Sequence, residues 1–154
     1  MFSFTRQKSV GRRGEHVLDR YWRKHGVLVT NADRELQGRG VDRVFTIRGG
    51  AQVGVEYKTD RTAASSGRAF IETSVGERPG WALASEAGLL CYYVPGKGLA
   101  YLIRMKRLRE RIAYWEKSCE RRTVHNHRYT AEGLLVPLQE LASICTSVLT
   151  IEEE

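Results

Sequence analysis

The chain reads as an α/β protein, a central mixed β-sheet flanked by helices. Three observations predict it. Val17, Leu18, Tyr21, Trp22 and His25 recur at helical spacing. Val41–Ile47 and Ala51–Lys58 read as two extended runs joined across Arg48-Gly49-Gly50. The apolar run Leu89–Val94 precedes a second helical pattern, Met105, Leu108, Ile112 and Trp115. Helical and extended periods thus alternate in the order α-β-β-β-β-α-β-β-α within one domain spanning residues 1–154, with no internal repeat.

The first helix is expected over Ser9–His25, with Gly26 closing it in a left-handed conformation. Val27–Thr30 is a short strand, and Asn31–Gly40 a polar loop. The hairpin follows. Thr59–Gly67, rich in small polar residues, reads as a mobile loop. Arg68–Val75 alternates as a strand, with Ala69, Ile71 and Thr73 on one face and Phe70 and Glu72 on the other. Pro79–Ala87 is a short helix stopped by Gly88, and Leu89–Val94 turns at Pro95–Gly98 to pair with Leu99–Ile103. Helices are expected to dominate residues 104–148: one from Arg104 to Lys117, and one that Pro137 opens and that runs through Cys145. Residues 118–132 look irregular, Gly133–Val136 extended, and 150–154 a frayed tail.

Composition limits the function classes. The formal charge is +7, and residues 1–24 (seven Lys/Arg, two acids) and 104–122 (eight against three) together carry +10. Two concentrated basic stretches point to a polyanion, nucleic acid first, against the plainer reading of solvated helix faces. No apolar run approaches the ~20 residues a membrane span needs, and Met1–Lys8 lacks the apolar centre of a secretion signal. Three widely spaced cysteines, Cys91, Cys119 and Cys145, suit reduced thiols in a cytoplasmic compartment. No glycine-rich phosphate cradle appears, so no nucleotide cofactor is expected, and Cys119, His125 and His127 match no familiar zinc spacing. His16 and His25 read as packed or capping groups.

The chemistry concentrates on the hairpin. In an antiparallel pair the start of one strand lies beside the end of the other, which brings Asp42 to Glu56. Residues i and i+2 of a strand share a face, so Lys58 joins them. Three charged groups on an apolar sheet are expensive to bury without a task. Metal-assisted cleavage of a phosphodiester supplies one. Asp42 and Glu56 offer the hard oxygens that Mg²⁺ prefers. The ion activates a water. Lys58 stabilises developing charge or helps deprotonate that water. Tyr57 turns its side chain away and offers its backbone carbonyl to the metal. Glu15, on the apolar stripe of the first helix, is either a further acidic ligand or a first-turn acid favourable to the helix dipole. The plain alternative for Asp42, Glu56 and Lys58 is a surface salt bridge contributing ~0–1 kcal/mol, which the apolar flanks Val44, Val53 and Val55 argue against.

The pattern Glu15, Val41-Asp42 and Val55-Glu56-Tyr57-Lys58 resembles the PD-(D/E)xK nuclease superfamily, and most closely the small Holliday junction resolvases of archaea and phages. The resemblance covers about residues 9–94 and departs from the motif at Val41, where the superfamily has proline. It implies a restriction-endonuclease-like core, Mg²⁺ with Mn²⁺ able to substitute, a homodimer in a prokaryotic or phage setting, and paired nicks in a four-way DNA junction. Other members are restriction or replication-repair nucleases, and a basic DNA-binding module with an inactive core is the non-enzymatic alternative. Lys8, Arg12 and Arg13 near the start of the first helix, Arg39, and Arg61, Ser65, Ser66 and Arg68 around the small-residue loop are candidate DNA contacts. Glu72 either lines the same cleft or faces solvent. Asp60 either bonds Lys58 or starts the loop. Tyr92, Tyr93, Leu102 and Trp115 are candidates for a dimer interface or for the core.

Overall fold

Two sheets divide the strands. The computed structural model describes the backbone of residues 4–125 and 127–153, and side chains from Ser9 onward. Its elements are α1 (Phe4–Lys24), β1 (Leu28–Asn31), α2 (Arg34–Gly38), β2 (Arg43–Thr46), β3 (Gln52–Thr59), α3 (Ala63–Ser66), β4 (Arg68–Val75), β5 (Arg78–Pro79), α4 (Trp81–Ala84), β6 (Leu89–Val94), β7 (Leu99–Arg104), α5 (Met105–Ser118), β8 (Glu120–His125), β9 (Thr130–Pro137), α6 (Leu138–Ile144) and β10 (Ser147–Thr150).

The larger sheet has six strands in the order β1-β2-β3-β6-β7-β10. Only β3 and β6 run parallel, with Glu56 beside Leu90 and Lys58 beside Tyr92. The expected mixed sheet flanked by helices is therefore present. The second sheet, β5-β4-β9-β8, is antiparallel and was not foreseen. Strand β4 pairs with β9 and β5 and takes no place beside β3.

Side-chain alternation on β6 explains the layering. Leu90, Tyr92 and Val94 point to one core with Ile71, Leu134 and Val136 of the second sheet and Leu108, Ile112 and Trp115 of α5. Cys91 and Tyr93 point to the other core, where Leu18 of α1 meets Val29, Phe45, Val55 and Tyr57. A strand buried on both faces reads as an unbroken apolar run, which is what Leu89–Val94 shows. The candidates for a dimer interface separate accordingly. Tyr92, Tyr93 and Trp115 are core residues, and Leu102 is half-buried.

Several expectations need correction. The first helix begins at Phe4, five residues earlier than predicted. The polar segment before Gly40 contains α2, because the Asp33 carboxylate caps it by accepting from Leu36 N at 2.9 Å. The small-residue loop is a helical turn, α3. Asp60 accepts from Ala63 N and from the Tyr92 hydroxyl (2.5 Å), so it fastens the turn to β6. Within the segment expected to be irregular, Glu120–His125 form β8 and β9 begins at Thr130. Every residue of β8 is exposed, so it carries no alternation to read. The region 104–148 is thus not purely helical. Beyond it, β10 pairs with β7, and Ile151 is buried with its N–H on Gly98 O at 2.8 Å, so residues 150–153 are not a frayed tail. Glu154 lies outside the described residues. No helix among the described residues is long and apolar enough to cross a membrane.

Helix α1 reaches the site because Gly14 lets it. A Cβ there would fall on the Thr59 side chain of β3. Gly14→Ala is expected to lower stability by roughly 1–3 kcal/mol through overpacking. Gly11→Ala, where nothing lies within 4 Å, should be neutral or stabilising by up to about 1 kcal/mol. Denaturant midpoints compare the two, and equal effects would contradict this packing.

Candidate active site

The hairpin register brings the acids together. Asp42 lies one residue before the β2 ladder, and its N–H bonds Val55 O at 2.9 Å. Its carboxylate turns into the plane of the sheet and accepts from Tyr57 N through Oδ2 at 2.8 Å. The N–H and C=O of one strand residue point to the same edge, so the Tyr57 carbonyl faces this edge as well. Glu56 and Lys58 occupy the next positions on the face shared with Leu90 and Tyr92. Lys58 Nζ stands 3.4 Å from Glu56 Oε1 and 5.4 Å from the centre of the Trp81 ring.

Burial differs sharply within this group. Glu56 is only 4% exposed, whereas the Lys58 side chain is about one-third open to solvent. Glu56 Oε2 is buried with no hydrogen-bond partner. The Ser85 hydroxyl is near enough to favour the ionised carboxylate, but it donates to Gly40 O at 3.1 Å, so Oε2 still lacks a donor. An unsatisfied buried carboxylate oxygen is costly in a water-excluded site unless something positive meets it.

Glu15 reaches the group from the α1 side. Its Oε2 lies 3.7 Å from Arg43 Nη2. Burial raises the proton affinity of Glu15, Asp42 and Glu56 above the ordinary carboxylate range. The Asp42 charge adds to the effect on both glutamates, while Arg43 opposes it at Glu15 and Lys58 opposes it at Asp42 and Glu56. Burial thus makes each carboxylate easier to protonate, while a neighbouring cation opposes the shift.

A buried ion pair supports the acids from behind. Asp19, 6% exposed, receives Arg43 Nε at 3.0 Å, Arg43 Nη2 at 3.2 Å and the Tyr57 hydroxyl at 2.9 Å. Arg43 also donates to Asp42 O at 3.0 Å and lies over the Tyr57 ring. Sequence reasoning missed both Asp19 and Arg43. Asp19 lies one helical turn after Glu15, and Arg43 points to the α1 face, but nothing local in the sequence joins the two.

The other candidates scatter. Arg12 and Arg13 are exposed on α1, but they lie two turns or more inside the helix, so its N-terminal dipole does not serve them. The Lys8 side chain lies outside the described residues. Arg39 is bound to Glu35 (2.8 Å) and Glu86 (3.8 Å), and Arg68 to Glu120 (2.9 Å). Ser65 and Ser66 bond the backbone at Thr62 O and Arg68 O. Glu72 sits on the second sheet, half-buried. It accepts from Trp81 N at 3.2 Å and so holds the ring that Lys58 packs against. Asp60 bonds the backbone and Tyr92, with no bond to Lys58 among the described contacts. A groove of about 1000 Å³ runs along α1, lined by Arg13, His16, Arg20 and Arg61, and excludes Asp42, Glu56 and Lys58. His16 is thus an exposed groove residue, while His25 stacks on Tyr21.

The donor set fits a hard divalent cation. Among the described residues no group of three or more Asp, Glu, His or Cys side chains is placed to hold a metal ion. Mg²⁺ does not need one, since it binds through one or two carboxylates and keeps several waters or substrate oxygens. Asp42, Glu56 and the Tyr57 carbonyl make such an open set.

Two predictions follow from these charges. Asp19→Asn leaves the Arg43 guanidinium without its buried partner and should destabilise by roughly 3 kcal/mol, whereas Tyr57→Phe should lose only about 1 kcal/mol. Equal losses in chemical denaturation would contradict the clamp. Glu56 has a raised folded-state proton affinity, so the folded protein loses stability as pH rises from the ordinary value of 4.5 through the raised one. Glu56→Gln should therefore be more stable than the parent at pH 7 by on the order of 1 kcal/mol, about 2–4 °C. That gain should vanish below the ordinary value. Thermal melts across pH check this, and a variant less stable at pH 7 contradicts it.

Compared with known proteins, the chain matches no family model, no curated protein and no solved structure.

Proposed function

We propose that this chain is a Mg²⁺-dependent endodeoxyribonuclease with a PD-(D/E)xK-type, restriction-endonuclease-like core. The observation that carries the reading is the Asp42–Glu56–Lys58 group, with Glu56 Oε2 buried and unpartnered beside an accessible ammonium. The basic composition suits a polyanionic substrate. An acid-bearing helix, a hairpin and a strand parallel to its second arm occur in the order the motif requires.

Asp42, Glu56 and the Tyr57 carbonyl would hold Mg²⁺ or Mn²⁺. The ion would supply charge neutralisation at the scissile phosphate and a more acidic attacking water. Lys58 does its work from the solvent side. Its ammonium, fixed between Glu56 and Trp81, donates to a phosphate oxygen or to the attacking water. Glu15, steered by Arg43, accepts a hydrogen bond from water at the opposite side of Asp42. The Asp19–Arg43–Tyr57 clamp keeps the Asp42 backbone and β3 in register. Hydrolysis leaves a 5′-phosphate, as the resemblance implies.

The narrower substrate is the four-way DNA junction, cut by a two-fold homodimer whose two sites face two strands. This rests on the motif resemblance. The cytoplasmic setting is part of the same reading.

The test uses a labelled four-way junction, linear duplex and flap DNA with Mg²⁺ or EDTA. Junction cutting that needs the metal is expected. Glu56→Gln should lower cutting by at least about 10²-fold while junction binding stays near the parent level, and Lys58→Met by roughly 10²–10⁴-fold. Equal cutting of all substrates would replace junction resolution with a general nuclease. Binding without cutting at any metal concentration would leave only a DNA-binding module.

A further inference from the structure

The groove along α1 has a feature the nuclease reading does not use. Arg13, His16 and Arg20 share one helix face at spacings of three and four, and Arg61 faces them from the turn after β3. A smaller hollow of about 530 Å³ extends past His16 and Arg20 to Arg23 and Lys24, with Asp19 also lining it. From Arg13 to Lys24 the helix rises about 16 Å. Gly14, where α1 meets Thr59, one residue after Lys58, lies in the groove wall.

One acid lies among the described residues lining the larger groove. Glu153 accepts from Gly96 N through Oε1 at 3.2 Å. The phenol of Tyr93 is held above its ordinary range, first by burial and then by the nearby Glu153 carboxylate. The segment bearing it is anchored, since Ile151 is buried and bonded to Gly98. A carboxylate therefore takes an amide N–H at the wall of a groove whose other charged lining residues are basic. That amide donor and the basic side chains around it would serve a phosphate oxygen equally well.

We propose that the α1 groove is a docking track for a nucleic-acid backbone, and that the Glu153 carboxylate holds the place of a phosphate and is displaced when the strand enters. The proposal rests on the DNA-directed reading and adds to it a surface outside the cleavage group and an acid that weakens binding there. Net charge along the track favours the strand. Glu153 lowers that preference and so limits binding of DNA that does not also engage the metal group.

The experiment measures binding of a fluorescent DNA duplex by anisotropy in EDTA, across a salt series. Glu153→Gln keeps a carbonyl oxygen for Gly96 N and removes only the charge. It should tighten binding about two- to fivefold at low salt, with the gain shrinking as salt screens the groove. Glu152→Gln, an exposed neighbour outside the groove, should change affinity less. Arg61→Ala should weaken binding and reduce the salt slope by about one. Unchanged affinity in Glu153→Gln, or equal gains from both glutamine variants, overturns the place-holder role. In either case metal-dependent cutting would leave the nuclease reading intact. Tighter binding by Glu153→Gln in a protein that never cuts DNA would uphold the groove and sink the nuclease reading. No DNA binding by any variant sinks both.

Discussion

The buried pair of Asp19 and Arg43 holds three elements in one relation. Asp19 belongs to α1, Arg43 to β2, and the Tyr57 hydroxyl that shares the carboxylate to β3. Arg43 reaches on to the Asp42 carbonyl and lies near Glu15. A guanidinium can do this because its planar fork offers several donors at fixed angles, which a lysine could not. Buried pairs seldom add much net stability, because desolvation offsets attraction. Their effect is geometric. Without this pair α1 could slide along the sheet, and Glu15 would lose its place beside Asp42.

With the frame set, the acids on its edge are held at an electrostatic disadvantage. Glu15, Asp42 and Glu56 each hold protons more tightly than an exposed carboxylate, chiefly through burial. Lys58 offsets part of this but sits 3.4 Å from only one oxygen of Glu56, and the other has no donor. A fold optimised for stability alone would carry apolar residues on this face, as the neighbouring Leu90 and Tyr92 do. The arrangement makes sense if a cation joins the group, because a divalent charge reverses the local balance and favours every ionised carboxylate.

Much of this was legible in the sequence, and the remainder was hidden for identifiable reasons. The hairpin register followed from the Gly49-Gly50 turn, where both residues have positive φ (98° and 87°), and from alternation on either side. That sufficed to place Asp42 beside Glu56. Strand β8 was invisible because neither of its faces is buried. The ending at Ile151 was misjudged because one buried isoleucine was outweighed by the acids after it. The division into two sheets could not be read, since alternation on β4 says which face is buried but not which strand lies alongside. Asp19 and Arg43 meet across 24 residues, and a local pattern does not reveal such a pairing.

Whether Asp42 and Glu56 hold a divalent cation is tested most directly by anomalous diffraction from a crystal soaked in Mn²⁺. A single strong peak between the two carboxylates, near the Tyr57 carbonyl, is the expected result. A well-ordered crystal with no peak there, and with Glu56 still paired only to Lys58, would contradict it.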